Sequence, residues 1–308
     1  MTRLATLTLL LLLLAVGASR EATAQASPPP VAAQNPSPMV EETRAHERLV
    51  QRDIHGTRLT VAGPLAKPVE IWIPAGARRD SFDLVIHFLG AAWLPEQAVA
   101  QLDVPAVAAV VNIGAGSGIY DRTFTQPAAL DSLLAGITRA VRTTTGGDAT
   151  LRHLTLSGFS AGHGAIRAIL RDSAHAARVD AILLLDGMHT SYVREGTVLA
   201  TGATLDTSNL ASFAAFARAA IRGEKRFVVT HSEIFPGTFA STTETADWLL
   251  HTLGLRRTAV VQWGPRGMQQ LSAVDAGEFH LLGFAGNSAP DHIDQLHAMP
   301  EMLTLLWR

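Results

Sequence analysis

From Asp83 onward the chain alternates short apolar runs with amphipathic segments, and this alternation constrains the fold more than any other feature. Asp83–Phe88 and Ala106–Ile113 read as buried strands. Ala128–Arg142 reads as a helix, with apolar residues at Leu130, Leu133, Leu134, Ile137 and Val141. Strand signals return at Arg152–Leu156, Val179–Leu185, Arg226–Thr230 and Glu278–Phe284. Helical patterns fill the gaps at Gly162–Asp172, Asn209–Arg222 and Thr243–Leu253, and Ile293–Arg308 closes the chain as a helix. Strands alternating with helices of roughly 10–15 residues build βαβ units, whose crossovers are right-handed. The expected fold class is therefore α/β, with a mostly parallel central sheet and helices on both faces. Thr57–Val61 and Val69–Ile73, separated by Gly63-Pro64, are expected to open it as an antiparallel pair.

Before that alternation the chain reads differently. Thr2 and Arg3 precede an apolar, leucine-dominated run from Leu4 to Ala18, followed by Ala22-Thr23-Ala24 and Ala24-Gln25-Ala26. This is the layout of a secretory signal peptide over residues 1–26, with cleavage expected after Ala26. The apolar run is short against the roughly 20 residues of a membrane span, so no stable membrane insertion is expected after cleavage. The mature protein is expected to be secreted or periplasmic. Residues 27–39 carry Pro28, Pro29, Pro30, Pro36 and Pro38 and read as an extended linker. No glycine- or proline-rich break follows, so residues 40–308 are expected to form one domain.

Composition removes several functions. The 308 residues are 47% hydrophobic and 17% charged, which supports a large buried core. The net charge of −2 offers no basic excess to neutralise phosphates, so nucleic acid is not an expected partner. Cysteine is absent, which excludes a thiol nucleophile, thiolate metal sites and disulfides.

Chemistry is expected at the carboxyl ends of the strands, where open α/β sheets collect their sites. There the sequence reads Gly158-Phe159-Ser160-Ala161-Gly162. In a G-x-S-x-G pentapeptide between a strand and a helix, a sharp turn lifts the serine hydroxyl above the sheet, and the glycines let neighbouring backbones close in. His153–Leu156 precedes the motif, and Ala165, Ile166, Ile169 and Leu170 mark the helix behind it, with Gly164 extending the small-residue track. The alternative is a glycine-rich turn with Ser160 as a helix cap.

Residues 55–308 resemble an α/β-hydrolase-fold domain. The resemblance rests on this elbow, the strand–helix order, and a histidine after the last strand. It implies acyl hydrolysis by a Ser–acid–His triad with Ser160 as nucleophile. A serine needs a base to remove its proton. Of 12 histidines, His292 lies in the loop Gly286–His292 between the last strand and the closing helix; His297 is its competitor. The acid is open between two strand ends. The family's commoner place corresponds to Glu233, after Phe227–Thr230. Asp186 directly ends the apolar run Ile182–Leu185, and its short tether and burial favour it, because a buried carboxylate needs a partner.

The resemblance also implies two oxyanion donors: the N–H of Ala161, and one from the loop Leu89-Gly90-Ala91-Ala92-Trp93, where Ala91 is favoured. Leu89 stands where the family usually has histidine. Trp93, His189, Tyr192 and His231 follow strand ends and are candidate pocket residues. A metal set of His189, His231, Asp186 and Glu233 is the weaker alternative, since no fixed-spacing ligand motif is present. No cofactor or metal is expected. The expected function is cleavage of ester bonds in a small-molecule or polymer substrate through an acyl-enzyme. The same triad serves serine peptidases and acyltransferases, and a hydrolase fold can also be a non-catalytic binding protein.

Overall fold

A computed structural model describes residues 45–62, 65–194, 197–198 and 201–307. The expected signal peptide, the proline-rich linker, the domain start at Val40 and the Gly63-Pro64 turn lie outside the described residues. The elements run β1 (Gly56–Val61), β2 (Val69–Pro74), β3 (Ser81–Phe88), α1 (Trp93–Val99), β4 (Ala106–Val111), α2 (Ser117–Phe124), α3 (Pro127–Thr145) and β5 (Thr150–Phe159). Then follow α4 (His163–Arg171), α5 (Ser173–Arg178), β6 (Ala181–Leu185), α6 (Ala211–Ile221), β7 (Arg226–His231) and α7 (Thr242–Leu253). The chain closes with β8 (Thr258–Trp263), β9 (Gln269–Ala276), β10 (Phe279–Phe284), α8 (Ala289–His297) and α9 (Met299–Leu306).

Among the described residues these strands form one sheet in the order β1-β2-β4-β3-β5-β6-β7-β10-β9-β8. The block from β4 to β10 is parallel; β1–β2–β4 at one side and β10–β9–β8 at the other pair antiparallel. Side chains alternate across each central strand, and the two faces bury into separate cores. Leu84 and Ile86 of β3, Ile182 and Leu184 of β6, and Phe227 and Val229 of β7 pack with α2, α3, α4, α6 and α7. Val85, Leu183, Leu185 and Val228 face the other way and pack with α1 and α9. Helices therefore cover both faces, which is why these strands are apolar along their whole length.

The strand order reverses between β3 and β5: β4 lies on one side of β3, and β6, β7 and β10 lie beyond β5. This is the switch point where ligands enter such sheets. The loop after β3 and Ser160 after β5 flank it.

Two expectations are corrected. The closing helix is two helices, α8 and α9, parted at Ala298. Pro300 lacks the N–H that would continue the ladder, so it starts α9 instead of lying inside one helix. The sheet also continues past β10 into β9 and β8. The exposed face pattern of β8 carries no burial alternation to read.

The elbow glycines are held by sterics. A Cβ on Gly162 would lie 2.1 Å from the Phe88 carbonyl oxygen, and one on Gly164 would lie 2.2 Å from that of Ser117. Both neighbours are backbone and cannot swing away. Gly162→Ala is expected to lose about 3 kcal/mol or more of stability by urea unfolding. Gly76→Ala, with nothing within 4 Å of the added methyl, is the control expected to change little. Equal midpoints for the two variants would contradict this packing.

Candidate functional site

Ser160 follows β5 directly and has φ +49°, in the left-handed region that a non-glycine residue enters at a cost. Leu89 (φ +68°) and Asp186 (φ +44°) share this feature at the ends of β3 and β6. Each such residue stores on the order of 1–3 kcal/mol, so three strained residues converge on one rim of the sheet. The strain at Ser160 is braced: His163 Nδ1–H donates to the Ser160 carbonyl at 2.8 Å. The backbone of Gly187 abuts Ser160 as well, since a Cβ there would lie 2.8 Å from the Ser160 oxygen and 2.9 Å from its nitrogen.

Asp186 and His292 meet. His292 Nδ1 and Asp186 Oδ2 are 2.7 Å apart. Asp186 is 2% exposed. Its Oδ1 accepts from the Ser232 N–H at 2.9 Å and the Thr242 hydroxyl at 2.6 Å, and its Oδ2 accepts from the Ser232 hydroxyl at 2.6 Å. Burial alone pushes this carboxyl upward. The hydrogen bond and charge of His292, with the Ser232 and Thr242 donors, more than offset it and hold the group well below the ordinary carboxylate range. Asp186 is thus ionised, so His292 Nδ1 carries the proton that it donates and Nε2 is left as the basic nitrogen.

His292 lies within the first turn of α8, not in the preceding loop: the helix begins at Ala289, capped reciprocally by Ser288 and Asp291. Its ring packs on Phe159, the residue before Ser160, with centroids 4.5 Å apart. The competitor His297 accepts from the Leu49 N–H at 3.0 Å and packs edge-on against Trp93, away from Asp186. Glu233 is exposed, and its carboxylate accepts from the Gly286 N–H at 3.4 Å. Sequence reading missed Ser232 and Thr242. Their only signal is a hydroxyl directly after β7 and another at the first position of α7.

The loop after β3 is clamped. His87 is fully buried, with Nε2–H donating to the Leu89 carbonyl at 3.0 Å and Nδ1 accepting from the Ser157 hydroxyl at 2.9 Å. Asn112 bonds Gly90 twice, at 3.0 Å to its N–H and 2.8 Å to its carbonyl. The Leu89 N–H donates to Val111. With those two N–H groups engaged, Ala91 carries the next N–H along the loop.

A cleft of about 460 Å³ opens beside Ser160 and Ala161. Of the candidate pocket residues, His189 lines it. His163, Arg167, Asn209 and Phe239 line it too, and the sequence reading did not include them. Trp93, Tyr192 and His231 do not. Trp93 packs into the α1–α9 core. The Tyr192 hydroxyl donates to Glu244 at 2.9 Å inside a small satellite core with Val198 and Ala240. His231 is buried, with Nε2 accepting from Arg257 at 2.7 Å. A place after a strand end does not fix where a side chain points.

The residues weighed as a metal set are engaged otherwise: Asp186 with four donors, His231 with Arg257, and His189 through Nδ1–H to the Ala240 carbonyl at 3.0 Å. Among the described residues, His46, Asp291 and Asp294 do bring ligand atoms within 4.8 Å of one another. Arg48 Nε, 3.0 Å from Asp294, already supplies a cation there.

Three buried histidines stay neutral. Burial lowers His87 to about 4, lowers His163 to about 3 with His189 adding to the effect, and lowers His231 to about 4 with Arg257 adding to it. In the unfolded chain each titrates near 6.5. Below that pH the unfolded state takes up protons that the folded state refuses, so stability falls as pH falls toward 4 and is restored above 6.5. Each contributes a slope of about 1.4 kcal/mol per pH unit. The urea midpoint is expected to drop steeply from about pH 7 to about pH 5, and less steeply in His231→Gln. A midpoint that is flat over this range would contradict the neutral assignment.

No protein-family model and no curated protein matches the chain. Solved structures do align with it. The enterobactin esterase FES from Shigella flexneri aligns at 14% identity over 83% of this chain and 61% of its own, with a TM-score of 0.48. A truncated carbohydrate esterase from gut microbiota aligns at 10% identity over 83% of this chain and 98% of its own, with a TM-score of 0.47. LAE6, an alpha/beta hydrolase enzyme from the metagenome of Lake Arreo, Spain, aligns at 12% identity over 84% of each chain, also with a TM-score of 0.47. The chain spans about three-fifths of the Shigella esterase's length. Among the described residues, a mostly parallel sheet switches strand order between β3 and β5 and is covered by helices on both faces, which makes the fold α/β-hydrolase-like.

Proposed function

We propose that the protein is a secreted serine hydrolase that cleaves ester bonds, with Ser160 as nucleophile, His292 as base and Asp186 as the acid that orients it. The observation that carries this reading is the 2.7 Å contact between His292 and the buried, ionised Asp186, with the His292 ring packed at a tilt against Phe159, the residue before Ser160. The 1–26 leader supports the exported location.

The chemistry runs in two halves. Ser160 Oγ attacks the ester carbonyl carbon while His292 Nε2 takes the hydroxyl proton. The imidazolium that forms is stabilised by Asp186. The N–H groups of Ala161 and Ala91 are the proposed donors to the oxyanion. The C–O bond breaks, and the alcohol leaves with the proton from Nε2. Water then gives a proton to Nε2 and attacks the acyl-enzyme, releasing the carboxylic acid and restoring Ser160.

A two-step reaction with slow deacylation gives a burst. Mixing the protein with excess 4-nitrophenyl butyrate is expected to release about one equivalent of nitrophenol before the steady rate. Hydrolysis with no dependence on Ser160 would overturn the reading.

A further inference from the structure

We propose that the cleft beside Ser160 selects esters that carry a carboxylate a few carbons from the reacting carbonyl, and that Arg167 recognises that charge. This rests on the hydrolase reading above and names its substrate class.

Among the described residues lining the cleft, Arg167 is the one with a permanent charge. The two cleft histidines add none, because burial keeps both His163 and His189 neutral. Phe239 is the only large apolar side chain among the described lining residues; hydroxyls and the Asn209 amide make up much of the rest. Such a wall suits a polar group better than a long alkyl chain.

Arg167 shares its carboxylate partner with a second arginine. Its Nε donates to Asp121 Oδ2 at 2.7 Å. The same carboxylate also accepts from Arg171 Nη1 at 3.1 Å on both oxygens. Two guanidiniums therefore share this carboxylate, so Asp121 alone does not neutralise both. Asp121 engages Arg167 through Nε alone, and the Nη groups have no hydrogen-bond partner among the described residues. They remain as the planar donor pair that fits a carboxylate. The Arg167 side chain is only 11% exposed, so an ion pair made there is screened less than one at the surface.

The spacing sets the length of the ligand. Arg167 is seven residues beyond Ser160, across the elbow turn and the first turn of α4. At 1.5 Å per helical residue this is on the order of 10 Å. Helical side chains lean toward the helix N-terminus, which brings the guanidinium back toward Ser160. A carboxylate a few carbons from the carbonyl spans that gap.

The test compares anionic and neutral esters matched in length within each protein. One arm places the charge on the acyl side, 4-nitrophenyl hemiglutarate against 4-nitrophenyl valerate. The other places it on the alcohol side, 4-butyryloxybenzoate against its methyl ester. Wild type is expected to favour the anion by about tenfold or more in kcat/KM in one of the arms, the worth of one charge-assisted pair. That ratio is expected to fall to near one in Arg167→Gln and to shrink in wild type as salt is raised. The salt series keeps the test decisive should the variant fold poorly. Ester hydrolysis with no anion preference in either arm, or a preference that survives Arg167→Gln, overturns the assignment and leaves the hydrolase reading standing. No turnover of any of the four esters by folded wild type overturns the hydrolase reading, and this inference with it.

Discussion

Asp186→Asn is expected to lower kcat by about 10⁴-fold while the protein stays folded. The substitution keeps the shape and changes one proton. Asp186 sits at φ +44°, a conformation asparagine adopts readily, so the backbone has no reason to move. The amide oxygen can still accept from the Ser232 N–H and the Thr242 hydroxyl, and the Ser232 hydroxyl can rotate to accept from the NH₂ group. The imidazole cannot adapt without cost. An amide N–H facing Nδ1 turns that nitrogen into an acceptor and moves the ring proton to Nε2, where the base should be free. Glu233→Gln is expected to change kcat less than about twofold, because Glu233 is exposed and bonded only loosely to the Gly286 N–H. Steady-state ester kinetics on both variants check this. A collapse in Glu233→Gln with an active Asp186→Asn would reverse the assignment of the acid.

The second large effect is expected at the proposed nucleophile. Ser160→Ala removes the attacking oxygen and leaves the donors and the cleft in place, so the loss is expected to be at least about 10⁴-fold. The fold should survive. The brace from His163 goes to the Ser160 backbone carbonyl, which alanine retains. Adding His292→Ala is expected to cost little more, because nucleophile and base act as one unit.

How much of this was legible beforehand follows from the physics of each residue. The turn that carries Ser160 was readable because close approach of backbones forces glycine at Gly162 and Gly164, and that leaves a mark in the sequence. The parallel sheet was readable because strands buried on both faces are continuously apolar. The choice between Asp186 and Glu233 stayed open because each follows a strand end, and linear order does not say which one donors will surround. Those donors, Ser232 and Thr242, lie 46 and 56 residues away from Asp186 in the chain. Tyr192 shows the same limit: its partner Glu244 is 52 residues on, and that contact, not its place after β6, decides where it points. Leu89 stands where the resemblance to α/β-hydrolase-fold domains implies a histidine. Its left-handed φ and the His87 bond to its carbonyl give the position a conformational role that side-chain identity alone conceals.

Labelling with a fluorophosphonate tests the central claim most directly. Such a reagent phosphonylates a serine whose proton an adjacent base can take, with fluoride leaving. The account predicts one adduct per folded chain, found by peptide mass spectrometry on Ser160, and none in Ser160→Ala. An adduct at another residue, or no adduct on folded wild-type protein, would contradict it.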